Sequence, residues 1–195
     1  MAKIKQNDFI DTVNEVITGA KEAGVVHLHA EGAFLNGHKI RINGRDHFHF
    51  GTTGYLGLEQ DQRLKKAAID AIQNYGTQFP LSKSYISHPL YADLEERVEA
   101  MYGNPIIITK NSTLGHIAVI PSIVGDEDAV ILDHQVHWSV QNATQALKLR
   151  GIPVEMIRHS SMFMLEERIK KLSKCSKIWY MADGVYSMYG DYAPV

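Results

Sequence analysis

Four short and almost uniformly apolar runs, "PIIIT" (105–109), "AVIL" (129–132), "PVEMI" (153–157) and "KIWYM" (177–181), recur with helix-like stretches between them. A strand with one solvated face alternates apolar and polar residues. These runs do not alternate, so both of their faces need cover, and a mostly parallel sheet between layers of helix provides it. The pattern predicts an α/β chain with helices near Gln62–Tyr75, Tyr91–Tyr102, from the Ser112 region through Ile117, Val140–Leu149 and Leu165–Leu172. Ahead of it, Phe9, Val13, Val16, Ile17 and Ala20 share one helical face and Gly24 follows as a stop, which predicts an N-terminal arm helix. Asn-Gly pairs at Asn36 and Asn43 predict turns flanking a small hairpin. The expected division is an arm helix and hairpin over 1–55 and a larger α/β part over 56–195.

In an open α/β sheet ligands bind beyond the carboxyl ends of the strands. Three of the apolar runs lead into polar segments: "KNSTLGH" (110–116), "DHQVHWS" (133–139) and "ADGVYSMYGD" (182–191). Parallel strands would open all three onto one crevice. A net charge of -2 from 20 basic and 22 acidic residues offers no footprint for nucleic acid or an anionic membrane, so small-molecule chemistry is expected. A single cysteine, Cys175, excludes an internal disulfide and any multi-cysteine metal site. With no apolar leader at the start and no apolar run long enough to span a bilayer, a cytoplasmic location is expected.

Each polar segment has more than one chemical reading. Asn111, Ser112 and Thr113 begin a helix, where hydroxyls and free amides either cap the helix or hold a phosphate; no Gly-Lys-Ser/Thr of a Walker loop is present. His134 and His137 lie three apart beside Asp133, a spacing open to zinc, but no third or fourth ligand shares the segment and no metal is expected. His137 is otherwise a buried ring with satisfied nitrogens, a proton carrier, or a flat face for stacking. In "DGVYSMYGD", Asp183, Ser187 and Asp191 recur every four residues among aromatics and glycines, a regularity that an ordinary strand-to-helix turn leaves unexplained.

Taken in order from Arg41 to Val195, "YLGL", "YGT", "LEE" with "YG", the Ser/Thr cluster, "D-x-x-x-H-x-S", the His before "LEERI" and "DGVYSMYGDYAP" resemble the α-oxoamine synthases, a family of pyridoxal 5'-phosphate enzymes of the fold-type-I aminotransferase class. The resemblance implies the large domain of that fold. It also implies that His137 stacks on the pyridine ring, that the backbone amides at Ser112 and Thr113 grip the phosphate, and that Ser187 contacts the phenolic oxygen. Asp183 stands where a glutamate is usual, Asp133 and Ser139 fall on a family aspartate and serine, and His116 replaces an asparagine. Thr53 and Lys83 fall at positions that hold the amino-acid carboxylate, as departures from an asparagine and an arginine; lysine lacks the bidentate fork of arginine.

The family's cofactor-binding aspartate and Schiff-base lysine have no counterpart in this sequence, which resembles the N-terminal half of such an enzyme, inactive alone. The expected activity is condensation of an amino acid with an acyl thioester, carried out with a C-terminal remainder in a homodimer. Two alternatives stay open: another PLP-dependent reaction of aminotransferase type, and a non-catalytic half-domain that serves as a binding module.

Overall fold

The computed structural model describes residues 8–32, 38–51, 54–78 and 83–194, with the side chains of Asp8 and Phe9 outside the description. Two compact units divide the chain, Met1–Ser82 and Lys83–Val195. In the first, helix α1 (Asp8–Glu22) is followed by the antiparallel strands β1 (Lys39–Ile42) and β2 (Arg45–Phe48). Asn43 and Gly44 both take positive φ, 51° and 73°, the pairing that a tight two-residue hairpin turn requires. This turn therefore joins the two strands rather than flanking them, while Asn36 lies outside the described residues. A 3-10 segment, Tyr55–Gln60, leads to α2 (Gln62–Tyr75), whose first turn is capped by Asp61 accepting the Arg63 amide at 2.8 Å.

The second unit holds α3 (Pro89–Tyr102), α4 (Ser112–Ile123), β3 (Ala129–Asp133), α5 (Trp138–Ala143), α6 (Gln145–Leu149), β4 (Val154–Ile157), α7 (Met162–Lys171) and β5 (Ile178–Met181). Its sheet has the order β4-β3-β5, both pairings parallel. All five residues of β3 are buried, because it is the middle strand with helices on both faces. Alternate side chains go to opposite sides. Val130 and Leu132 pack with Ile120, Val124, Val140 and Leu147 from α4, α5 and α6, while Ala129 and Ile131 pack with Ile157, Leu172, Met164 and Leu165 on the α7 side.

Two expectations need correction. The run 105–109 has no regular secondary structure and pairs with no strand among the described residues. Its amides at Ile106 and Ile108 donate instead to the carboxylates of Glu99 (3.0 Å) and Glu95 (2.8 Å) on α3, side chains doing what a neighbouring backbone would do. The helix expected over 140–149 is two pieces, broken at the fully buried Thr144, whose hydroxyl donates to the Gln141 carbonyl at 2.8 Å and competes with the helical ladder. No helix among the described residues is long and apolar enough to cross a membrane.

The packing of β3 sets a stability expectation. Ile131→Ala, at a site with no exposure, should lower unfolding free energy by about 2–5 kcal/mol, whereas Leu149→Ala, at a 90% exposed site, should change it by no more than about 0.5 kcal/mol. Urea denaturation of the two variants measures the contrast.

Candidate functional site

Beyond the carboxyl ends of the three strands the chain makes polar segments that meet. β3 ends in Asp133, which has no solvent exposure. A buried carboxylate must have its oxygens satisfied. Here one oxygen accepts the Gln135 amide (2.8 Å) and the His159 ring Nδ1 (3.0 Å), and the other accepts the Ser160 amide (2.7 Å). Ser160 takes a left-handed φ of 53° in making that contact. Burial alone would push the Asp133 carboxyl up, but the Ser160 and Gln135 amides and His159 outweigh it and hold the group below its ordinary 3.8.

The other nitrogen of His159, Nε2, lies 2.9 Å from the Asp191 carboxylate. An imidazole with a carboxylate oxygen at each nitrogen donates at both and therefore carries charge. Asp133 first, then Asp191, raises the His159 pKa above its ordinary 6.5. Tyr186 meets the ring edge-on at 4.4 Å and Tyr189 stacks on it at 5.1 Å. Tyr186 is buried, and its hydroxyl is pushed up by burial and then by the charge of Asp133. The loop between Asp183 and Asp191 also closes on itself: the Tyr186 amide donates to the Asp191 carbonyl (2.9 Å), the Gly190 amide to the Tyr186 carbonyl (2.7 Å), and Val185 bridges Tyr192. His159 pins this closed loop to the end of β3.

His137 begins α5 and ties the segments together. Its backbone amide donates to Asp183 at 3.2 Å, and its ring Nδ1 accepts the Ser139 amide at 3.2 Å as the cap of the helix. The Ser139 hydroxyl lies 2.6 Å from that same Nδ1 and 2.8 Å from Nδ1 of His116, which comes from α4. Ser139 is fully buried; the His137 ring is exposed. At the start of α4 the Asn111 side chain accepts the Leu114 amide at 2.9 Å, while the amides of Ser112 and Thr113, in the first turn, have no acceptor within the helix.

The expected residues thus fall in different places. Ser112, Thr113, His137 and Asp183 lie on the three segments that the His116–Ser139–His137 and His137–Asp183 contacts bring together, and Ser187 is exposed on the pinned loop. Lys83 is already engaged: its ammonium pairs with Glu95, donates to the Ile108 carbonyl at 3.0 Å and lies 5.0 Å from the centre of the Tyr91 ring. Thr53 lies outside the described residues. Among the described residues no three His, Cys, Asp or Glu side chains converge as a metal-binding set. A cleft of about 430 Å³ opens beside His159, lined by His134, Met156, Ile157, Arg158 and Met164, none of them among the residues expected to bind a ligand. The His159 clamp was not legible as a site; its one signal was the histidine before "LEERI" in the ordered motifs.

Comparison with known proteins assigns the class first. A serine palmitoyltransferase from S. paucimobilis, with a PLP–myriocin aldimine bound, matches 96% of this chain and 47% of its own at a TM-score of 0.84 and 24% identity. The chain has the α/β fold of the fold-type-I transferase large domain. Sequence then narrows the assignment. The chain is 27% identical over 197 residues to the 8-amino-7-oxononanoate synthase of Petrotoga mobilis, covering 96% of this chain and 48% of that one. It is 30% identical over 183 residues to that of Fervidobacterium nodosum, covering 87% and 46%. It is similar to the N-terminal portion of α-oxoamine synthase family members and spans about half the length of the curated relatives it matches. No protein-family model matches it.

The clamp yields a pH dependence. The folded protein holds the His159 proton more tightly than an unfolded histidine, so the contact contributes fully below about pH 6.5 and is lost as pH rises through the raised value. Thermal unfolding followed from pH 6 to 9 should show the midpoint falling in that window. In His159→Phe that slope should be absent.

Proposed function

We propose that this chain supplies the cofactor-holding half of a pyridoxal 5'-phosphate-dependent acyltransferase that condenses an amino acid with an acyl thioester. It would work with a segment equivalent to the other half of its longer relatives. In this reading residues 1–55 are the arm and hairpin and 56–195 the first part of the cofactor-binding domain. The observation that carries the proposal is the meeting of the α4 start, His137 and Asp183 through the hydrogen bonds of Ser139 and the His137 amide.

The donor set fits a phosphate-bearing aromatic cofactor. Free amides and two hydroxyls at the positive end of α4 suit a phosphate, and an exposed, rigidly held imidazole suits a flat ring. Ser112 and Thr113 would hold the phosphate, His137 would lie against the pyridine ring, and Ser187 would reach the phenolic oxygen. Asp183, which accepts the His137 amide, fixes where that ring sits. Pyridoxal phosphate supplies an electron sink for the bond broken at the amino acid's α-carbon. The work of this chain is to orient that sink and to keep one ring face covered.

Thr53 and Lys83 are the proposed carboxylate-binding positions. For Lys83 the role requires its ammonium to exchange Glu95 for the substrate. That engagement favours a second reading in which the same cofactor serves a different amino-acid reaction, of aminotransferase type.

His137→Ala should weaken pyridoxal phosphate binding by about 1 kcal/mol, roughly five-fold, with no change in metal content. Absorbance and tryptophan-fluorescence titration of the chain together with the companion segment measure it. Unchanged affinity would exclude stacking at His137, and stoichiometric zinc lost on substitution would replace it with a metal role.

The same proposal includes a homodimer. On α1, Ile10, Val13, Val16 and Ile17 are 62%, 40%, 64% and 37% exposed, an apolar face that wants a partner. Light scattering on the isolated chain should show self-association, and co-expression with the companion segment should convert it to a discrete dimer. A cooperatively folding monomer would favour the stand-alone binding module.

A further inference from the structure

We propose that His116 is a positioning residue: its Nδ1–H holds the Ser139 hydroxyl in the orientation that, together with the Ser139 amide, keeps His137 in the Nε2–H tautomer and fixes the plane of its ring. The lock itself stands on hydrogen-bond geometry. Its bearing on a bound cofactor rests on the reading above, in which the exposed face of His137 receives the pyridine ring.

One donor in this cluster, a backbone amide, has a fixed direction. The Ser139 backbone N–H points at His137 Nδ1 from 3.2 Å, so that nitrogen presents a lone pair and not a proton. The Ser139 hydroxyl, 2.6 Å from the same Nδ1, then has one favourable role, which is to donate to it. A hydroxyl has a single proton. Having given it to His137, Ser139 Oγ can only accept from its other neighbour, so Nδ1 of His116, 2.8 Å away, carries a hydrogen. The reverse arrangement would set a protonated His137 Nδ1 head-on against the Ser139 amide. Ser139 has no solvent exposure, so water is not at hand to repair such a clash. One direction remains: His116 Nδ1–H to Ser139 Oγ–H to His137 Nδ1.

Two consequences follow for the ring. Its outer nitrogen, Nε2, bears the hydrogen. Its plane is fixed by the hydroxyl and the amide of Ser139, while its backbone is held by Asp183. An asparagine at 116, as the family pattern has it, offers an amide group in place of an aromatic N–H, so this chain uses a second imidazole to set the first. The donor comes from α4 and the ring from α5, so the lock also makes the orientation of His137 depend on the packing of the two helices.

Long-range proton–nitrogen correlation spectra of the full chain, labelled at its ten histidines, read both tautomers directly. His116→Asn and His137→Ala assign the two signals. Read at a pH where both rings are neutral, the expected result is hydrogen on Nε2 of His137 and on Nδ1 of His116, the latter being the less common form in free imidazoles. Ser139→Ala should release His116 to the common form, and Ser139→Thr should keep the native pattern. Hydrogen on Nδ1 of His137 in the native chain, or on Nε2 alone of His116, would overturn the lock even if no serine variant folds. None of these readings needs a cofactor. A pyridoxal phosphate titration of His116→Leu, in which the Ser139 hydroxyl loses its donor while the Ser139 amide still meets His137 Nδ1, separates the two claims: with the expected tautomers in the native chain, a two- to five-fold weaker affinity supports both, whereas unchanged affinity supports the lock and counts against the cofactor's contact with His137.

Discussion

A carboxylate without access to water, at the end of the central strand, is the constraint around which the carboxyl edge of this sheet is built. Leaving Asp133 with unmet acceptors would cost more than any single apolar contact in the core returns. Besides the Gln135 amide, its partners come from after β4: the Ser160 amide, delivered by a left-handed backbone, and His159. His159 then has a second nitrogen to satisfy and draws in Asp191 from after β5. One buried charge thus recruits loops from both neighbouring strands, and the loop bearing Ser187 is ordered as a by-product.

The same edge holds a second network. Ser139 stands between His116 and His137 as Asp133 stands beside His159, and each joins segments far apart in the chain. They differ in what they respond to. The Asp133–His159–Asp191 arrangement is fully paired when His159 carries a hydrogen on both nitrogens, whereas the Ser139 arrangement needs a lone pair on Nδ1 of His137 and a hydrogen on Nδ1 of His116. The edge can therefore loosen its outer loop at high pH while the ring of His137 keeps its setting.

Much of the fold could be read from residue pattern because the pattern is where burial acts. "AVIL" has no polar residue because β3 has no exposed face, and Asn43-Gly44 marks its turn because few residues accept positive φ. The run "PIIIT" misled for the opposite reason: a strand is defined by its neighbour, and apolar content cannot reveal that glutamates from α3 stand in for one. Thr144 likewise breaks a helix through a hydroxyl contact that periodicity does not register. At the site, the ordered segments were legible as a set and their meeting followed from parallel strands. The individual contacts were not. His159 is 26 residues from Asp133 and 32 from Asp191, and His116 is 23 from Ser139, distances over which no local rule pairs side chains.

The strand order β4-β3-β5 also has a meaning in time. During synthesis β3 emerges first, and both strands that will flank it are still unmade. β5 ends 48 residues after β3, an interval of roughly 2–10 s at ordinary translation rates of about 5–20 residues per second. Until β4 ends, 24 residues after β3, this fully buried strand is a template with two open edges, and until β5 ends it keeps one, a state prone to pair with another nascent chain. The arrangement that later gives Asp133 its complete burial makes β3 a segment that the growing chain must shelter until both of its neighbours are made.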